Sequence, residues 1–323
     1  MPALHLLDTH LINTHLLEKT PIALAGLAFG IASLGWLWES TLATGGYIQV
    51  SSALIAFAAC ALVVAKLMHR PQILKHALLD PVAGSVLPTI AMCWVIVSQS
   101  VAYISTTASL VMWSIALALH ALLFIWFCLQ RVRKFQFEQM MPAWFIPPIG
   151  LAVAAVANPS PHSEALSSAI VSFAIVCCLI LLPIMLVRLL KGPTLADINK
   201  PTLALFAAPP NLCLVSYLQY SAEPSFWFVS LLLTLAVITT LFAYISFVRL
   251  YWREFTPVSA AFTFPTVIGS SAMYSVSDYF NTHSAETAAH TTHQLAQLQL
   301  LIATAVTLLV CTRYIKYFNT TRD

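Results

Sequence analysis

The sequence predicts an all-α integral membrane protein whose transmembrane helices pair into five hairpins around one axis, and three observations predict it. The chain is 59% hydrophobic and 8% charged, with a mean hydropathy of +0.84, whereas soluble proteins carry about 25% charged residues. Its apolar residues gather in ten segments, each near the ~20 residues a helix needs to cross a bilayer. All 15 Lys and Arg residues fall in the gaps on one side of those segments, a one-sidedness that a wrong segment count would destroy.

In chain order the predicted spans are Pro21 to Trp38, Tyr47 to Ala65, Val82 to Ile104, Leu110 to Gln130, Pro142 to Ala157, Leu166 to Val187, Thr202 to Tyr220, Ser225 to Phe247, Val258 to Ser277, and Gln294 to Thr312. Span one contains the small residues Gly26, Ala28 and Gly30. Spans three, five, seven and nine each carry an internal proline (Pro88, Pro147, Pro209, Pro265), separated by 59, 62 and 56 residues. The even spans have no central proline, although Pro183 sits near one end of span six, and they hold long aliphatic and aromatic runs such as Leu231 to Leu241. This repeat predicts bent inner helices at odd positions and straight, lipid-facing helices at even positions, in two concentric layers.

Charge sets the expected orientation. Lys19 precedes span one, and the other basic residues follow the even spans: Lys66, Arg70 and Lys75; Arg131, Arg133 and Lys134; Arg188, Lys191 and Lys200; Arg249 and Arg253; Arg313, Lys316 and Arg322. The opposite loops hold Glu39, Glu164, Glu223, Asp278 and Glu286 and no basic residue. Both termini are therefore expected to be cytoplasmic. The expected organisation is a cytoplasmic segment over residues 1–20, a single ten-helix domain over 21–312 and a cytoplasmic tail over 313–323. His5, Asp8, His10 and His15 interrupt the N-terminal leucines, which is unlike a secretory signal. The seven cysteines lie in apolar runs without metal-type spacing and read as small core residues.

The span around Pro265 carries the sharpest local signal, Ala261-Phe262-Thr263-Phe264-Pro265. Proline has no N–H to donate and its ring crowds the carbonyl of Ala261, so a bend is expected beside Phe264. Backbone freed in this way cannot face lipid, so the bend should face protein or a cavity and aim the Phe264 ring at an enclosed space, which it is expected to plug.

Missing chemistry narrows the function. The predicted spans contain no Asp, Glu, Lys or Arg, whereas proton- and sodium-coupled carriers place ionisable groups at mid-membrane. His120 is the one titratable exception and reads as a hydrogen-bonded packing residue. No metalloprotease helix, nucleophile elbow or phosphate loop occurs, so no enzymatic activity, metal or cofactor is expected. His283, His290 and His293 read as residues of a solvated loop, as do His5, His10 and His15. The small residues Gly30, Thr89, Ser98, Asn211, Ser216, Thr263 and Thr266 are left for the axis. Such a surface suits a conduit, and the basic face would concentrate anions at one mouth. The carbonyls freed by the prolines (Gly84, Ala143, Leu205, Ala261) would favour cations unless bonded elsewhere.

The Ala261 to Pro265 block, the stretch Lys200-Pro201-Thr202 through Ala208-Pro209-Pro210 to Ser216-Tyr217-Leu218, and Asp80-Pro81-Val82 leading to Leu87-Pro88-Thr89 resemble the TehA tellurite-resistance and dicarboxylate transporter family, which is related to the plant slow anion channels. The resemblance covers most of the chain. It implies ten helices in five hairpins around a central pore, homotrimers in which each protomer has its own pore, and a bacterial inner-membrane location. The family's gating phenylalanine falls on Phe264, and Gly30, Pro88, Thr89, Pro147, Pro209 and Pro265 are expected to line the pore. Span one departs from the family in having Ala28 where a proline is common. The implied function is a gated channel or uniporter for small inorganic or organic anions. The alternative is a coupled exporter of C4-dicarboxylate, sulfite or tellurite-related anions. Nucleic acid is not an expected partner.

Overall fold

The computed structural model describes residues 16–160 and 163–320, and these are helical at every predicted span, with no strand among them. At the predicted spans lie α1 Leu24–Leu42, α2 Tyr47–His69, α3 Pro88–Val101, α4 Thr106–Arg133, α5 Ala152–Val156, α6 Glu164–Lys191, α7 Ala208–Tyr220, α8 Phe226–Tyr251, α9 Thr263–Thr282 and α10 Glu286–Thr320, and shorter helices such as Pro71–Leu79 lie between them. Seven helical stretches among the described residues are long and apolar enough to cross a membrane. The predicted spans outside those seven are α1, the broken segment around α5, and the serine-rich α9.

Each proline of the repeat stands where a tighter or shorter helical piece gives way to regular α-helix. The helix Ala83–Val86 ends just before Pro88 opens α3, and a 3₁₀ turn Pro142–Phe145 leads into the short helix Ile146–Ile149 that contains Pro147. A 3₁₀ helix Asp197–Phe206 precedes α7, where Pro209 is the second residue, and a 3₁₀ helix Pro257–Phe262 precedes α9, where Pro265 is the third. The first residues of a helix have no intrahelical partner for their N–H groups, so proline costs little there and starts a helix well. The predicted bends are therefore junctions between 3₁₀ or one-turn pieces and α-helix. Tight bonding also answers for one of the freed carbonyls: Ala143 O accepts from the N–H of Ile146.

Burial separates two layers. The stretches containing α3 and α7 are each 78% buried, whereas α2, α4, α6, α8 and α10 are 22 to 33% buried. Each buried segment packs on the long helix that follows it, giving the pairs α1 with α2, α3 with α4, α5 with α6, α7 with α8 and α9 with α10. The inner segments also touch one another in sequence, and α9 closes back on α1, so α1, α3, α5, α7 and α9 form a ring. Buried Arg131 and Arg188 brace the loops on the basic side: Arg131 Nη2 donates to Leu79 O (2.6 Å), and Arg188 donates to Glu138 O (2.7 Å) and Pro193 O (2.8 Å).

The last helix differs most from expectation. It begins at Glu286 and runs to Thr320, so His290 and His293, read as loop residues, lie in its first turns. No Pro or Gly interrupts this stretch, Glu286 in the first turn complements the helix dipole, and Tyr314 near the far end is buried and donates to Pro257 O. His5, His10 and His15 lie outside the described residues.

Candidate functional site: a phenylalanine between two cavities

The ring of inner helices encloses two cavities. One, of about 80 Å³, is lined by residues including Gly26, Phe29, Thr89, Gly150, Pro209 and Pro265, and Val82, Thr202 and Val258 mark its end toward the Lys- and Arg-bearing loops. It has room for only a few waters. The other, of about 300 Å³, is lined by residues including Ser33, Val153, Val215, Gln219, Tyr274 and Asp278 and lies toward the loops without basic residues. Phe264 and Leu212 line both.

Local sequence explains how Phe264 reaches this position. The 3₁₀ turn ending at Phe262 hands over to α9 at Thr263, so Phe264 sits in the first helical turn beside Pro265. Its ring lies 4.2 Å, centroid to centroid, from the ring of Phe29 on α1, tilted by 32°. Both rings are buried, Phe264 being 9% and Phe29 2% exposed. Offset aromatic pairs of this kind gain about 0.5–1.5 kcal/mol beyond the area they bury. Phe262, two residues earlier, points away and packs edge-on against Phe247 of α8 at 5.1 Å and 76°.

Gly30 brings α1 against α9 at the same level. A Cβ at Gly30 would lie 2.2 Å from Thr263 Oγ1 and 3.3 Å from the Phe264 nitrogen, so the absent side chain permits the approach. The Thr263 hydroxyl donates to Ala260 O at 2.8 Å. On the other side of the ring, His120 of α4 donates from Nε2 to Pro147 O at 2.9 Å, and its Cε1 would be 2.9 Å from a Cβ at Gly150. An outer helix thus holds the broken fifth segment at its proline.

The lining is almost free of polar groups on the smaller side. Among the described residues Thr89 and Thr202 are its only hydroxyl-bearing ones, and both hydroxyls are donated to backbone, to Val86 O (2.7 Å) and Asn199 O (2.6 Å). Among the described residues no charged residue lines that cavity, and Asp278 is the one charged residue on the larger.

Of the residues predicted from sequence, Phe264, Thr89, Pro209 and Pro265 come together on the smaller cavity. Gly30 faces Thr263 instead, and neither Pro88 nor Pro147 is among the residues lining either cavity. Most of the other small polar candidates serve helix packing. Ser98 bonds Val95 O, Ser216 bonds Leu212 O, Thr266 bonds Thr263 O, and Asn211 Nδ2 donates to Ala207 O and Thr240 Oγ1. Sequence reasoning missed Phe29, the partner of Phe264. The available signal was an aromatic next to Gly30 in the one odd span without an internal proline.

Residues 20–315 match a family described as SLAC1, voltage-dependent anion channel. No curated protein matches the chain.

Proposed function

The chain belongs to the SLAC1 family of voltage-dependent anion channels, whose activity is anion transport across membranes, and on that premise we propose that it is a gated anion channel or uniporter closed by Phe264. One observation carries the reading: Phe264 lines both cavities and is stacked on Phe29, in a lining without a cation or carboxylate at its level. A ring there blocks passage without binding the ion. The uncharged surroundings let an anion through once the ring moves, with no fixed charge to trap it. Absence of an ionisable relay favours passive flow over proton coupling.

The same proposal takes all ten spans across the bilayer of a bacterial inner membrane, both termini on the cytoplasmic side with the basic loops, and three protomers per assembly with a pore in each. Pro209, Pro265 and Thr89 line the inner approach, and Gly30, Pro88 and Pro147 shape the helices that form it.

Flux of chloride, nitrate, malate and sulfite from reconstituted vesicles, with and without a pH gradient, tests the assignment. Passive flow should be independent of the gradient, and strict dependence on it would overturn the channel reading. Phe264→Ala should raise conductance sharply in voltage clamp, because its removal joins the two cavities while Pro265 keeps the helix start. Phe262→Ala removes the same volume at the α8 contact and should leave conductance low. Equal currents from the two variants, or none from a folded Phe264→Ala protein, refute the gate. A ring that served only as packing would cost about 3–5 kcal/mol of stability on truncation and yield no current.

A further inference from the structure

The larger cavity adjoins a second, wider chamber of about 680 Å³, and the two share Val215, Gln219, Ser275 and Asp278 in their walls. Helix α9 supplies a continuous stripe along this path. Phe264, Ile268, Ser271, Ser275, Asp278 and Thr282 all line one chamber or the other, spaced three or four residues apart as one helix face requires. Asp278 is therefore on the same face as Phe264, about 21 Å further along at 1.5 Å per residue.

Its electrostatic setting is one-sided. The outer chamber adds a second carboxylate, Glu223, together with His283, whose Nδ1 is bonded to Tyr279 O at 2.8 Å. Among the described residues no Lys or Arg lines either chamber and no salt bridge engages Asp278 or Glu223. Asp278 is solvent-exposed, so its field acts through water and fades within a Debye length of about 8–10 Å. It reaches the outer chamber but neither the Phe264 level nor the basic mouth.

We propose that Asp278 makes the pore directional: its carboxylate depletes anions from the outer chamber, so anions pass more readily from the basic face toward the Asp278 face than back. The proposal rests on the anion-channel reading above and adds to it the residue that sets the direction. The asymmetry is kinetic. A charge at one mouth lowers the local concentration of anions entering there, whereas anions arriving from the other side have already passed the narrow Phe264 level before they meet it. At a contact distance of about 4 Å in water the repulsion is about 1 kcal/mol, or roughly fivefold in local concentration, and less further away.

The test is voltage clamp in a membrane of known orientation, in symmetrical low-salt chloride, with Phe264→Ala as the conducting background and Phe264→Val as a second background if the alanine variant does not express. Adding Asp278→Asn should raise anion flow entering from the Asp278 side about two- to fivefold and leave the opposite flow nearly unchanged. Asp278→Lys should raise it further. At about 1 M salt, where the Debye length is about 3 Å, the variants should converge. In channels that conduct, an Asn substitution that changes nothing, or that scales both directions equally, overturns the proposal. Folded backgrounds that pass no anion from either face refute the Phe264 gate, and the proposal, which needs the path that the gate closes, falls with it.

Discussion

Gly30→Ala isolates the contact that positions Phe264. The added methyl would lie 2.2 Å from Thr263 Oγ1, 2.5 Å from Thr263 Cβ and 3.3 Å from the Phe264 nitrogen. Rotating the hydroxyl could relieve the first clash but not the second, because Thr263 Cβ is fixed to the α9 backbone. Reaching an ordinary carbon–carbon separation of about 3.5 Å therefore requires α1 and α9 to part by about 1 Å. Overpacking of this kind costs about 1–3 kcal/mol. For a chain of this size that corresponds to a loss of about 2–5 °C in melting temperature. The same displacement draws Phe264 away from Phe29 across a gap that is now 4.2 Å between ring centroids, so chloride leak should rise as stability falls. Thermal melting in detergent and tracer flux from vesicles measure the two effects. Thr263→Gly in the Gly30→Ala background removes both close atoms, and stability should return apart from the roughly 1 kcal/mol that glycine costs in a helix. A Gly30→Ala protein that melts at the wild-type temperature and leaks no more than wild type would refute the argument that close approach at Gly30 holds Phe264 against Phe29 and closes the proposed pore.

The remaining expectations concern the scaffold. His120→Leu deprives the buried Pro147 carbonyl of its donor and should lower stability by about 1–3 kcal/mol, with His120→Gln restoring part of it; equal melting of the Leu variant and wild type would show that the bond is dispensable. Reporter fusions after Arg133 and Arg253 should read cytoplasmic and fusions near His283 external, and a cytoplasmic signal at His283 would overturn the placement of the last two spans. Crosslinking in membranes should yield a trimer, and a clean monomer that retains flux would show that assembly is not needed for transport.

Partition between water and lipid is decided residue by residue, which is why so much of this architecture was legible in one dimension. Apolar runs such as Leu231 to Leu241 can only face lipid or protein interior, and they form the outer layer. The prolines were equally informative, since a missing N–H is a local fact: Pro88, Pro209 and Pro265 each lie in the first residues of a helix that follows a shorter piece. What proline alone leaves open is the form of the break, which in the fold is a junction between a 3₁₀ or one-turn piece and α-helix. The aromatic at Phe264 was also visible, because its place beside Pro265 depends on adjacent residues.

Only the tertiary structure decided what that aromatic touches. Phe29 against Phe264, Gly30 against Thr263 and His120 on Pro147 O are contacts between helices far apart in the chain, and no periodicity within one span encodes its partner's rotation. The small polar residues show the same limit: Thr89 lines a cavity, while Ser98, Ser216 and Thr266 donate their hydroxyls back to their own helices, a difference that composition cannot express. Asp278 reads from sequence as an outer-loop carboxylate, and it became part of the walls of two chambers only when α9 continued to Thr282 and turned one face toward both. Hydropathy and proline chemistry act through the local backbone and solvent, so the sequence alone determined the layers and the breaks. Side-chain packing acts between surfaces that folding brings together, so the partner of Phe264, its spacing and the place of Asp278 in the chamber walls belong to the fold.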